Sequence, residues 1–295
     1  FQGSTSWGAN FIAIKELIGF TGPISILAVQ FLACWLFLPF VKRPKNLHLV
    51  ALWGVAAGGC QYGFQNIGLD LGASPGIASV LLQLQAFFTP VLLSVLYRKP
   101  FALSTIGVLL LGLFGVYLVA AAGRGATATG TVAVLFLVMA AFSWSVGNVT
   151  ISRIEQKTPD VAMFPVLIYA SVFISIPVTI WANATEGMIH HNLVGLTATE
   201  LVYAAVLIGW ILIAYLGGYG IWNYLISRYG GEKIVRFGLL VPVFGLILSY
   251  LVYQTQVTAL QKAGIALILS ALIANRYFDL RSAKAAQQAC VVPAE

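Results

Sequence analysis

The chain has 295 residues, of which 60% are apolar and only 8% charged, with a mean hydropathy of +0.92; ordinary soluble domains are about 45–50% apolar and about 25% charged. It cannot cover its own surface in water. That excludes a soluble enzyme, a nucleic-acid-binding domain and a disordered chain, and leaves a polytopic membrane protein. The net charge of +7, from 16 basic and 9 acidic residues, reads as Lys and Arg collected in cytoplasmic loops.

The chain opens on Phe1-Gln2-Gly3-Ser4, which resembles the remnant of a tag-removing protease site and carries no weight in the reading. A spanning helix needs about 20 mainly apolar residues. The first run, 4–20, holds Trp7 and Asn10, with Lys15 and Glu16 near its end. The second, 24–41, closes near Pro39. The third, 48–70, holds Gln61, Tyr62, Gly63, Gln65 and Asn66. The fourth, 75–97, holds Gln83, Gln85 and Phe87. The fifth, 101–122, is apolar, and the sixth, 130–152, holds Trp144 and Asn148. The seventh, 161–182, is followed by the longest connection, with Glu186, His190 and His191. The eighth, 200–227, holds Tyr219, Gly220, Trp222 and Asn223; the ninth, 232–253, holds Pro242; the tenth is 258–278. The runs are continuous, whereas barrel strands alternate in polarity. The prediction is an all-α integral membrane protein with ten transmembrane helices.

Orientation follows from the basic residues. With a cytoplasmic N-terminus, all the Lys and Arg except Lys15, Arg124 and Lys262 fall at cytoplasmic ends and loops. Ten spans then make both termini cytoplasmic and residues 280–295 a cytoplasmic tail. The halves resemble each other. Ser6-Trp7 and Asn10 in the first run recur as Ser143-Trp144 and Asn148 in the sixth. Tyr62-Gly63-x-x-Asn66 recurs as Tyr219-Gly220-x-x-Asn223, and the spacing of Phe88 to Tyr97 recurs from Phe244 to Tyr253. Five spans per copy force the second copy to insert upside down, giving two inverted five-helix repeats over 1–122 and 130–279, an architecture of many secondary transporters.

The ionisable groups lie at run ends, so neither a catalytic set nor a metal site is expected at depth, and no cofactor is implied. Cys34, Cys60 and Cys290 show no pairing or metal spacing. Glu16 and Glu232 are the nearest candidates for a proton relay, both near helix ends, so weak or absent ion coupling is expected. The deep polar groups are neutral amides and aromatics. Trp7 and Trp144 are repeat-related and deep. Gln83 and Phe87 are four apart and expected to share a face, suited to a zwitterion with an apolar side chain. The candidate substrate contacts are Trp7, Asn10, Tyr62, Gln83, Phe87, Trp144, Asn148, Tyr219 and Trp222. Asn66 and Asn223 read as structural, and Trp35, Trp53, Trp181, Tyr97 and Tyr253 as interface belts. Gly63, Gly220 and Pro242 are candidate conformational elements, Pro242 as a kink.

Trp7-Gly8-Ala9-Asn10-Phe11, Ser143-Trp144-x-x-Gly147-Asn148 and Leu240-Val241-Pro242-Val243-Phe244 give the chain its likeness. It resembles, over essentially its whole length, the ten-helix EamA-type branch of the drug/metabolite transporter superfamily. It departs in having Ala86 at a usual proline, and Arg98 and Gln254 where the family has Gly-Glu. The resemblance implies a cavity lined by the first, third, fourth, sixth, eighth and ninth helices. It further implies a bacterial inner-membrane exporter of amino acids, aromatic ones included. The partners expected are a small-molecule substrate and lipid, with no nucleic acid; the protein is a monomer or a homodimer. Export of nucleoside-like metabolites or lipophilic drugs, or a sensor without transport, are the alternatives.

Overall fold

The computed structural model describes residues 2–98, 103–122, 130–159, 161–187, 197–219, 221 and 240–291. Among them the regular structure is helical throughout, as a chain in lipid requires when each segment must satisfy its own backbone. We number the helices along the chain. α1 is Gln2–Ile18. α2 is Pro23–Ala33 and tightens into a 3-10 segment, Cys34–Phe40. α3 begins as Leu47–Trp53, widens into a π segment, Gly54–Cys60, and ends as Gln61–Asp70. α4 runs from Pro75–Leu81 through a 3-10 turn, Leu82–Leu84, into Gln85–Tyr97. α5 is Leu103–Ala121, α6 Thr131–Lys157 and α7 Met163–Glu186. α8 is Ala198–Leu212, continued by a π segment, Ile213–Gly217. α9 is Leu240–Tyr253 and α10 Ala259–Val291.

The helix ends have local causes. Pro23 and Pro75 sit in the first turns of α2 and α4, where a missing N–H costs nothing. Ser74 Oγ accepts from Ile77 N at 3.3 Å. Thr197 and Glu200 form a reciprocal capping box at the start of α8. Gly187, at φ 62°, closes α7 in the left-handed region that glycine favours.

Five helical stretches are long and apolar enough to cross a membrane: Pro23–Phe40, Pro75–Tyr97, Thr131–Lys157, Met163–Glu186 and Ala198–Gly217; Ile106–Ala121 and Leu240–Tyr253 are shorter apolar helices. Two ends differ from expectation. α7 runs on to Glu186, so this carboxylate terminates a helix rather than lying in a connection. α10 extends for 33 residues to Val291, beyond the apolar run; its Ala, Arg, Lys and Gln after 280 are good helix formers.

α5 packs on α10, α2 on α7 and α4 on α9; α1 lies against α8 and α9, and α6 against α3 and α4. Small residues set the closest approaches, as in membrane bundles generally. A Cβ on Gly115 would lie 2.7 Å from Gly264 O, and one on Gly264 would lie 2.6 Å from Gly115 O. The outside is apolar, with Phe114 and Tyr117 on α5 and Ile176 and Ile180 on α7 exposed. Such a surface is at home in lipid.

Candidate functional site

A cavity lies where α1, α3, α4, α6, α8 and α9 converge. α1 contributes Trp7, Asn10 and Phe11; α3 contributes Gln61, Tyr62 and Gln65; α4 contributes Leu82 and Gln83. Trp144, Tyr219 and Val241 complete the lining. The spacings in α1 and α3 are those of one helical face. The empty space totals about 420 Å³ with its open mouth included, but the centre of a water molecule can occupy only about 30 Å³ of it. Among the described residues its lining holds aromatic rings and neutral amides, and no Asp, Glu, Lys, Arg or His.

The helix irregularities sit beside it. The π segment of α3 ends two residues before Tyr62, and that of α8 ends two residues before Tyr219. A π turn inserts an extra residue and so re-aims the side chains after it, a device common at functional sites. Trp7 Nε1 donates to Ala214 O, within the π segment of α8, at 3.3 Å. Gly218 makes room for this indole, since a Cβ there would lie 2.6 Å from Trp7 Nε1.

An aromatic cluster backs the cavity. Tyr219 contacts Trp7 at 5.8 Å between ring centroids, Trp53 at 6.0 Å and Tyr215 at 5.8 Å; Tyr215 also contacts Tyr62 at 5.9 Å and Phe31 at 5.7 Å. Tyr62 and Tyr219 thus both pack on the Tyr215 ring. Edge-on packing of this kind fixes ring orientation beyond simple area burial.

Trp7, Asn10, Tyr62, Gln83, Trp144 and Tyr219, expected from the sequence, thus lie together around one space. Phe87 does not join them. It is 2% exposed and packs toward α5, where a Cβ on Gly112 would meet its ring at 2.9 Å. The expected sharing of a face by Gln83 and Phe87 fails because the 3-10 turn intervenes. Its steps of about 120° per residue, against about 100° in an α-helix, carry position 87 about 80° from position 83 rather than about 40°.

Asn148 is also outside the lining. Its Nδ2 donates to Gln85 Oε1 at 2.6 Å and to Thr89 Oγ1 at 3.2 Å, tying α6 to α4. Trp53, expected at the lipid interface, is 3% exposed and lies inside the cluster. Gly63 packs in ordinary contact with Leu27. Pro242 is buried in the first described turn of α9; a kink there depends on residues before Leu240. Trp222 and Gly220, with Asn223, Glu232, Lys233 and Arg236, lie outside the described residues.

Gln61, Gln65, Phe11, Leu82 and Val241 were not among the expected contacts. For the two glutamines a signal existed: two amides four apart in an apolar helix share a face. Elsewhere, Asn66 Nδ2 donates to Pro23 O at 3.0 Å, the structural role expected of it. Glu16 accepts from Tyr203 Oη at 3.5 Å and from Tyr253 Oη, joining the ends of α1, α8 and α9 away from the cavity. Among the described residues no three His, Cys, Asp or Glu are grouped to hold a metal ion.

The model of the EamA-like transporter family matches residues 1–121 and 131–276. The chain belongs to this family. The transporter is 30% identical over 286 residues, covering 95% of this chain and 93% of the relative, to a probable amino-acid metabolite efflux pump of Escherichia coli (strain K12). It is 29% identical over 276 residues, 91% of this chain and 90% of the relative, to a protein of the same description from Salmonella typhimurium. A solved crystal structure shares the fold with a TM-score of 0.54 at 18% identity, covering 93% of this chain and 98% of that one. The protein is accordingly a transporter and not an enzyme, a multi-pass protein of a bacterial inner membrane.

Proposed function

We propose that this transporter exports amino acids, aromatic or other apolar ones, and related metabolites by alternating access between two inverted repeats. The observation that carries the reading is the cavity of Trp7, Trp144, Tyr62 and Tyr219 with the amides of Asn10, Gln61, Gln65 and Gln83 and, among the described residues, no charged lining. Aromatic faces suit an apolar side chain, and neutral amides suit the polar end of a zwitterion. Phosphorylated substrates would want Arg or Lys at the site. Relatives described as amino-acid metabolite efflux pumps support export.

The repeat reading, with ten crossings, both termini cytoplasmic and units of 1–122 and 130–279, has support of its own. Exchanging α1–α5 for α6–α10 maps the most extensive helix pairs onto one another. α5 on α10, α2 on α7 and α4 on α9 are each returned unchanged; α1 on α9 becomes α6 on α4, and α1 on α8 becomes α6 on α3. The family model also matches one stretch in each half. Alternating access is supported by the size of the cavity. Space for water centres of about 30 Å³ suits about two waters, so an amino acid enters only after the helices part.

The test is efflux from proteoliposomes loaded with a pool of amino acids. Selective loss of Phe, Tyr and Trp, reduced by Trp144→Ala, is expected. Retention of every amino acid by well-folded protein would overturn the reading and move the substrate to another metabolite or the protein out of the transporting members of its family.

A further inference from the structure

Two of the cavity's amides have an oxygen with no donor in the protein. Asn10 Oδ1 and Gln61 Oε1 are both unpaired, and their residues are 7% and 3% exposed. Both line the same space, from α1 and from the first residue after the π segment of α3. Buried acceptors without donors are uncommon in folded proteins and call for an explanation. In the interior of a bundle surrounded by lipid their isolation is costlier still. The residues of both acceptors line the space a ligand would fill, and what the two oxygens lack is a donor.

The chemistry selects the donor. Among the described residues the lining offers no Arg, Lys or His to a carboxylate. An ammonium group carries three N–H donors and no acceptor, and it also gains from aromatic faces within about 6 Å, which Trp7, Trp144, Tyr62 and Tyr219 supply. We infer that the site recognises its substrate by the ammonium end, through Asn10 Oδ1 and Gln61 Oε1, and therefore also accepts aromatic monoamines that have no carboxylate. This rests on the export reading above for the site but not for the substrate: the carboxylate becomes dispensable and the ammonium does not.

The pair of probes that separates the two ends is phenethylamine, with the ammonium alone, and 3-phenylpropionate, with the carboxylate alone. Each competes against counterflow of labelled phenylalanine in proteoliposomes, and each is titrated separately for thermal stabilisation of the protein in detergent, which needs no transport. Phenethylamine is expected to compete within a few-fold of phenylalanine and 3-phenylpropionate at least tenfold more weakly. Gln61→Leu is expected to weaken phenethylamine about tenfold, the equivalent of about 1.4 kcal/mol. Because Gln61→Leu could disturb folding, Asn10→Asp provides the opposite arm: a negative acceptor should tighten phenethylamine and leave 3-phenylpropionate no better.

Equal competition by the two probes, or an unchanged preference in both variants, would overturn the inference while phenylalanine counterflow keeps the export reading intact. Stabilisation by phenethylamine without any phenylalanine counterflow would overturn the export reading and keep the ammonium site. Absence of both overturns both.

Discussion

Removing the carboxylate of Glu186 should loosen the protein measurably without touching its cavity. α2 starts at Pro23 behind Gly22, a cap with no side chain to accept from the first free N–H groups. The acceptor comes instead from the end of α7. Glu186 Oε1 accepts from Ile24 N at 2.9 Å, and Oε2 accepts from Ser25 N and Ser25 Oγ, each at 2.7 Å. Loss of a helix cap costs about 0.5–2 kcal/mol. Three charge-assisted bonds put this one at the upper end, about 2 kcal/mol, after allowance for the partly exposed carboxylate. At about 2–4 °C per kcal/mol for a chain of this size, Glu186→Ala should lower the melting point by about 4–8 °C. Glu186→Gln keeps one acceptor oxygen and should lose about half as much.

The assay is the midpoint of heat inactivation, followed as monodisperse protein surviving a fixed incubation in detergent, because membrane proteins unfold irreversibly and a rate-linked midpoint is the usable quantity. Gly22→Ala provides the cross-check. A Cβ at position 22 would lie 2.0 Å from Glu186 Oε2, so the carboxylate must withdraw. The two substitutions remove one interaction and should not add when combined. An unshifted midpoint in Glu186→Ala, or a double variant as damaged as the sum of the singles, would refute the reasoning.

Other outcomes rest on the same packing. Gly264→Ala brings a methyl to 2.6 Å from Gly115 O and should cost about 1–3 kcal/mol by overpacking, seen as a lower melting midpoint; Gly107→Ala, with nothing within 4 Å, should leave it unchanged. Gly218→Ala should push the Trp7 indole from its bond to Ala214 O into the cavity and reduce the initial rate of phenylalanine efflux several-fold at equal expression. Pro242→Ala should restore a backbone donor in α9 and slow exchange between facing states, read as reduced counterflow by protein of normal stability. With no carboxylate lining the cavity among the described residues, counterflow should be insensitive to a protonophore; uphill movement under an imposed pH gradient would contradict this.

Much of the fold and most of the cavity are legible in the sequence. Apolar run length fixes where helices lie, since a segment in lipid has few other ways to satisfy its backbone. Trp7, Trp144, Tyr62 and Tyr219 stand out because each recurs in the second half, and all four line the cavity. Phe87 departs from expectation because uniform α-helical steps do not hold along its helix: the 3-10 turn before it breaks the periodicity, and local sequence does not announce it. Trp53 departs because position near a span end says nothing of which neighbour a ring meets; it packs on Tyr219, 166 residues away. Gln61 and Gln65 are visible but have no repeat partner to single them out. The cap by Glu186 is invisible in principle, because it joins positions 162 apart in sequence.

The irregular turns also indicate how the halves are coupled. α1 and α6 open the two halves, and each presses on the π segment of a helix from the other half. Trp7 of α1 bonds to Ala214 within the π segment of α8. Gly147 of α6 lies so close to the π segment of α3 that an added Cβ would be 2.5 Å from Ala57 Cβ. Each π segment is followed by a cavity tyrosine, Tyr219 in one case and Tyr62 in the other. A shift of α1 against α8 therefore acts through one turn on Tyr219, and a shift of α6 against α3 acts equally on Tyr62. A π turn is the soft element in such a lever, because its hydrogen bonds can step between i→i+5 and i→i+4 partners without leaving the backbone unpaired in lipid. Both tyrosines line the cavity, and the ring of Tyr215 touches each of them. Under the alternating access proposed above, the contacts of Trp7 with Ala214 and of Gly147 with Ala57 are where a movement of α1 or α6 would reach a cavity tyrosine.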